Sequence, residues 1–309
     1  MRFAFIGGTP RGFALLRKLV DSNYLPLYNI ILKEDDHEQE KVSSDVVGFL
    51  HKNSLEATVK RKLSAADYQN IKELKLDFII VCGWRSLIDT SINKFLTVGM
   101  LAAHDSLLPL YRGFAPLNWA IINGEQFTGV TLFKIDDGVV DSGEVYGQVK
   151  IKIEKSDYAN NVYNKVMHAT IVLYMDFIEN YQNKTLSSYR QNEDKATYTC
   201  KRSPEDGRIN WTDDSVKIYN LVRGLANPFP GAFCYFEGQK VIVQKAELGE
   251  HNEMNYVGRI PGRVISLKNG SIEVLCGKGS IKITAWQLSG NNETSLPTEI
   301  VKSITSTLV

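Results

Sequence analysis

Cysteine is scarce in this chain: Cys82, Cys200, Cys234 and Cys276 are the only four in 309 residues. They are widely scattered and form no Cys-x-x-Cys pair, which speaks against a metal knuckle or a disulfide framework and fits a reducing, cytoplasmic setting. Neither sign of charge is in excess, since 36 Lys and Arg stand against 35 Asp and Glu for a formal net charge of +1. No overall field therefore draws the chain to nucleic acid or to an anionic membrane. No apolar run approaches the roughly 20 residues that span a bilayer. The start, MRFAFIGG, reads as a strand because its apolar run is too short for a signal segment. Also missing are internal repeats, low-complexity tracts, Gly-x-Gly-x-x-Gly, a Gly-Lys-Ser/Thr, His-Glu-x-x-His and Gly-x-Ser-x-Gly. Dinucleotide binding, a P-loop, a zinc protease and a serine hydrolase are thus left without their signatures.

What is present is a strand and helix alternation. Phe3 to Ile6 is followed by Gly7-Gly8-Thr9-Pro10-Arg11-Gly12 and a helix whose Phe13, Leu15, Leu16, Leu19 and Val20 make an apolar face. Strands are expected at Tyr28–Leu32, Ala57–Val59, Asp77–Cys82, Met100–Ala103, Gly129–Ile135 and Glu144–Ile153, with a long helix over Tyr158–Tyr181. Such alternation implies an α/β fold with a mostly parallel sheet covered on both faces. Gln182 to Tyr198 is polar and reads as a connector. From Ala232 onward, short strands separated by Gly or Asn turns suggest a small barrel. The expected division is a catalytic domain over 1–185, a connector over 186–205 and a β subdomain over 206–309.

The chemistry concentrates between Leu101 and Gln148. His104 and Asp141 each lie at or just after a strand end of one expected sheet. A histidine is the natural proton carrier at neutral pH, and a neighbouring carboxylate would hold its imidazolium and orient its ring. That pair suits acyl transfer to an amine, which must lose a proton as it attacks. Ser106 as a nucleophile is one alternative, and a metal cluster of His104, Asp105, Asp136, Asp137 and Asp141 is another. A histidine serving only the core is a third.

The ordered set Ala103-His104-Asp105-Ser106-Leu107-Leu108-Pro109-Leu110-Tyr111-Arg112-Gly113, Thr128-Gly129-Val130-Thr131 and Asp141-Ser142-Gly143 closely resembles the 10-formyltetrahydrofolate-dependent formyltransferases. The likeness extends to Arg202–Trp211 and Asn227–Phe233. It implies a Rossmann-like domain that binds folate and a C-terminal OB-like subdomain. By resemblance, His104 relays the proton and Asp141 orients it. The pterin of N10-formyltetrahydrofolate would lie between Trp84, Arg85, Leu87 and Ile88 on one side and Asp136, Asp137, Gly138 and Val139 on the other. The family's Asn-x-His motif reads Ala102-Ala103-His104 here, and alanine has no side-chain donor. Loss of one oxyanion donor costs on the order of 100- to 1000-fold in turnover. The chain is therefore expected to be a disabled form of an active enzyme, its asparagine replaced by alanine.

Within that family, methionyl-tRNA formyltransferases carry a basic loop after the second strand and a lysine-rich C-terminal barrel. Here Lys33 to Lys41 is net acidic and Ser289 to Val309 has one lysine. The chain instead resembles sugar N-formyltransferases in Leu108–Ile121 and Arg202–Gly207. The expected acceptor is a nucleotide-diphosphate amino sugar used for cell-surface glycans. Arg202 would pair with the diphosphate, and Thr9, Arg11, Tyr111 and Arg112 would lie around the sugar. The alternatives are methionyl-tRNA as acceptor, or a non-catalytic folate- or nucleotide-binding homologue. A homodimer is the expected assembly, with no membrane association.

Overall fold

The computed structural model describes residues 1–35, 41–251, 254–290 and 293–309. Asp36 to Glu40 of the acidic loop lie outside them. Strands β1 (Phe3–Gly7), β2 (Tyr28–Leu32), β3 (Thr58–Lys60), β4 (Phe78–Cys82) and β5 (Gly99–His104) alternate with helices α1 (Pro10–Asp21), α2 (Ser43–Lys52) and α3 (Ala65–Glu73). Next come β6 (Arg112–Gly113), α4 (Pro116–Ile122), β7 (Phe127–Ile135), β8 (Val145–Lys152), α5 (Ala159–Gln182), β9 (Tyr198–Thr199) and α6 (Ser215–Leu225). The chain closes with β10 (Ala232–Phe236), β11 (Gln239–Leu248), β12 (Val264–Lys268), β13 (Ser271–Leu275) and β14 (Ser280–Leu288).

The expected Rossmann-like sheet is present, with strand order β3-β2-β1-β4-β5-β7-β8. Its first five strands are mutually parallel, and β7 runs antiparallel to β5, with Ala102 opposite Phe133 and His104 opposite Thr131. Strands β1 and β4 are buried at every residue, as continuous apolar runs must be when helices cover both faces of a sheet. The chain steps outward from β1 to β3 and then returns to the other side of β1 at β4. That reversal opens a crevice beyond the carboxyl ends of β1 and β4, where α/β sheets bind ligands.

The glycines beside the crevice serve packing. A Cβ on Gly7 or Gly12 would overlap the Cys82 carbonyl oxygen, so glycine there lets the β1–α1 turn close onto β4. Thr9 caps α1 by accepting from the Gly12 N–H, and Pro10 opens the helix without wasting a donor. Helix α5 is pinned to the sheet by the buried Tyr174, whose hydroxyl lies 3.2 Å from both the Val81 and Leu101 carbonyl oxygens.

Two compact units divide the chain. The first holds residues 1–113, 129–151 and 165–198, and the second holds 114–128, 152–164 and 199–309. The stretch 186–198, expected as connector, is thus part of the first unit. In the second unit, β10-β11-β14-β13-β12 form an antiparallel sheet over a core that includes Trp211, Ile218, Val222, Val243 and Trp286. The C-terminal tail covers both edges of that sheet. Val309 exchanges two backbone bonds with Tyr235 of β10, while Leu308 N–H donates to Gly262 O (2.8 Å) and Val264 N–H donates to Ser306 O (3.0 Å).

Candidate active site

His104 ends β5 and is buried to 9% exposure. Its Nε2 lies 2.8 Å from the Tyr111 carbonyl oxygen. A carbonyl only accepts, so Nε2 carries the hydrogen and the neutral ring keeps its lone pair on Nδ1. Nδ1 faces Asp141 Oδ2 at 3.5 Å, longer than a normal hydrogen bond. A proton arriving at Nδ1 would therefore point at a carboxylate already in place. The Phe133 ring meets the imidazole edge to face at 6.4 Å and closes one side.

Asp141 is held from two directions. Its Oδ2 accepts the Gly113 N–H at 2.8 Å. Its backbone, at φ 56°, lies in the left-handed region that a non-glycine residue occupies only when its surroundings impose it. Two positions on, a Cβ on Gly143 would overlap the Lys134 carbonyl oxygen. The segment from Leu107 to Gly113 is braced by Ser106, whose hydroxyl donates to Leu110 O at 2.6 Å, and by Thr131, which donates to Ser106 O at 2.7 Å and accepts the Leu108 N–H at 3.0 Å. Ser106 is thus spent on the turn, which sets aside the serine-nucleophile alternative.

The metal alternative fares no better. Asp105 forms an ion pair with Arg11, and Asp136 accepts the Gly138 N–H of its own exposed loop at 3.1 Å. Among the described residues no three His, Cys, Asp or Glu side chains gather as a metal site.

Ala102 lies on the same strand two residues before His104, so the two side chains share a face. It packs against Leu108, Phe133 and Val145. Trp84, Ile88 and Ile135 pack on one apolar cluster with Ile79, Val81 and Met100. The Trp84 indole N–H is buried without a protein acceptor. Beside it Leu87 is fully exposed, and Val139 is exposed on the loop after β7. Arg85, Asp136, Asp137 and Gly138 are exposed as well.

Thr9, Tyr111 and Arg112, expected around a sugar, each make contacts within the protein. Thr9 is the cap of α1, and its side chain fills the space beside Gly83. Tyr111 contributes its backbone, with its N–H donating to Thr197 Oγ1 at 2.8 Å and its carbonyl accepting from His104. Arg112 is wholly buried. Its guanidinium donates to Gln191 Oε1 at 2.7 and 3.2 Å and to both carboxylate oxygens of Glu193 at 2.7 Å. Gln191, Glu193 and Thr197 carried no signal in the sequence, where they sit in a polar stretch that reads as linker.

In the second unit, Arg202 stacks over Trp119 at 4.9 Å and donates to Asp206 O at 2.8 Å. Burial lowers its affinity for the proton from the usual arginine value. It lines a cleft of about 390 Å³ together with Lys201, Phe114, Phe229 and Pro230.

Two family models match the chain: Formyl transferase over residues 1–178, and Formyl transferase, C-terminal domain, over residues 201–300. The chain belongs to the formyl transferase family. This formyltransferase is 31% identical over 271 residues to the bifunctional polymyxin resistance protein ArnA of Wigglesworthia glossinidia brevipalpis, spanning 85% of the chain but only 39% of that protein. It is 29% identical over 299 residues to the methionyl-tRNA formyltransferase of Caldanaerobacter subterraneus subsp. tengcongensis, covering 95% of the chain and 94% of the relative. Among solved structures, the N-formyltransferase from Helicobacter canadensis shares the fold with a TM-score of 0.69 at 18% identity, over 92% of this chain and 98% of that one.

Proposed function

We propose that this formyltransferase moves the formyl group of N10-formyltetrahydrofolate to the amine of a nucleotide-diphosphate amino sugar. One observation carries the reading: a buried histidine with Nε2–H committed to Tyr111 O, leaving Nδ1 as the basic atom beside Asp141. The donor supplies the formyl carbon when bound. The apolar cluster under Trp84 and Ile88, with the exposed Leu87 next to them in the chain, fits a flat heteroaromatic ring, and the unpartnered Trp84 N–H suits a ring acceptor. His104 Nδ1 takes the proton that the acceptor amine loses, and Asp141 stabilises the imidazolium so formed.

For the acceptor, the cleft beside Arg202 supports a nucleotide. Lys201 and Arg202 offer cations to a diphosphate, and Phe114 and Phe229 offer rings to a base. The Helicobacter canadensis structure was determined with folinic acid and dTDP-3-aminofucose, which is the same pairing of ligand classes. Methionyl-tRNA remains the second reading, because the Caldanaerobacter relative is matched along nearly its whole length.

The test is transfer from N10-formyltetrahydrofolate to a panel of uridine- and thymidine-diphosphate amino sugars, with methionyl-tRNA alongside, read by mass spectrometry. Formylation of one nucleotide sugar is expected. Formylation of methionyl-tRNA alone overturns the sugar reading, and binding of folinic acid without any transfer identifies a non-catalytic homologue.

A further inference from the structure

We infer that Gln191 is a positioning residue for the active site, acting through the backbone of the Asp141 loop. Its amide orientation follows from its partners. Nε2 donates to Asp141 O at 2.7 Å and to Gly143 O at 2.8 Å, while Oε1 accepts from Arg112. Carbonyls only accept and a guanidinium only donates, so the amide has one satisfying orientation and the site has no slack for another. Gln191 is 9% exposed and Arg112 is fully buried, so neither can exchange these partners for water without cost.

The two carbonyls that Gln191 holds flank Ser142, at the point where the chain carries Asp141 at positive φ. The surrounding strap, residues 189–198, grips the other half of the site as well. Tyr189 exchanges two backbone bonds with Val145, and Thr197 binds Tyr111 and Arg112. Tyr111 O is the partner of His104 Nε2, and Gly113 N–H is the partner of Asp141 Oδ2. One segment thus sets both ends of the His104–Asp141 separation. Arg112 and Glu193 hold Gln191 from behind. A shift of about 1 Å at such a pair is enough to cost on the order of 100-fold in rate.

The inference rests on the catalytic reading of His104 and Asp141, so its test has a readout that needs no acceptor. Gln191→Glu keeps the acceptor for Arg112 and replaces the two donors with oxygens facing carbonyls; Gln191→Leu removes both functions. In the full chain, hydrogen exchange at the Gly113 amide should accelerate by about tenfold or more in both variants, with exchange in β1 and β4 unchanged. With the acceptor found in the panel, kcat should fall about 10- to 100-fold at an unaltered KM. Unchanged Gly113 exchange in Gln191→Glu overturns the inference, as does an equal acceleration in β1 and β4, which signals general loosening. Faster Gly113 exchange with full kcat upholds the positioning by Gln191 and instead overturns the catalytic role of Asp141.

Discussion

At the scale of single residues, the site is a set of hydrogen bonds that each leave one atom over. His104 Nδ1 is left over because Nε2 is taken, and Asp141 faces it because Gly113 N–H fixes one carboxylate oxygen. What the site lacks is a side-chain donor at position 102. Ala102→Asn should raise kcat by about 100- to 1000-fold, worth about 3 to 4 kcal/mol of transition-state stabilisation. Steady-state formyl transfer measures it, and no gain would mean that the chain uses another donor. The cysteines make a separate prediction. Burial pushes the Cys82 thiol up to about 11 and those of Cys234 and Cys276 to about 12, whereas Cys200 is exposed. A thiol-disulfide reagent such as DTNB should titrate one thiol quickly in the native protein and all four after unfolding.

At the scale of elements, close approach decides the geometry of the crevice. Gly7→Ala would drive a methyl into the Cys82 carbonyl and is expected to cost on the order of 1 to 3 kcal/mol, read as a lower urea midpoint with an unchanged m-value. Helix α3 supplies a pH-dependent contribution. Burial alone would raise the Asp67 carboxyl, but hydrogen bonds from Lys60, Ser64 and Tyr28 outweigh it and bring the group down to about 2. A carboxyl depressed on folding stabilises above its unfolded value of about 4, and that contribution is lost as pH falls toward 2. Asp67→Asn should therefore be less stable than the parent at pH 7, and the gap should narrow between about pH 4 and pH 2 in denaturation curves.

At the scale of the whole molecule, the C-terminal unit keeps its sheet edges covered with its own tail. Removing Ser306–Val309 would strip the backbone partners from Tyr235, Gly262 and Val264 and expose two strand edges. The truncated chain should melt at a lower temperature and self-associate, as seen by calorimetry and light scattering. The same tail shows how far this antiparallel sheet was readable in advance. Its five strands were legible because Gly or Asn turns separate stretches in which apolar residues recur. The covering of its edges was not, because Ser306 to Val309 has no pattern that names its partners.

A similar boundary runs through the active site. Apolar runs in β1 and β4, the helix faces and the order of the motifs are local or periodic features, so the sequence alone determined the α/β class and the family and singled out His104 and Asp141. Gln191, Glu193 and Thr197 act at separations that no local pattern records, and Arg112, expected around a sugar, is buried completely by the fold. Which nitrogen of His104 is basic, and which polar residues hold Asp141 in a left-handed conformation, were decided only by tertiary structure. The physical reason is that a hydrogen bond has a direction and a buried group must find its partner in space, whatever lies between them along the chain.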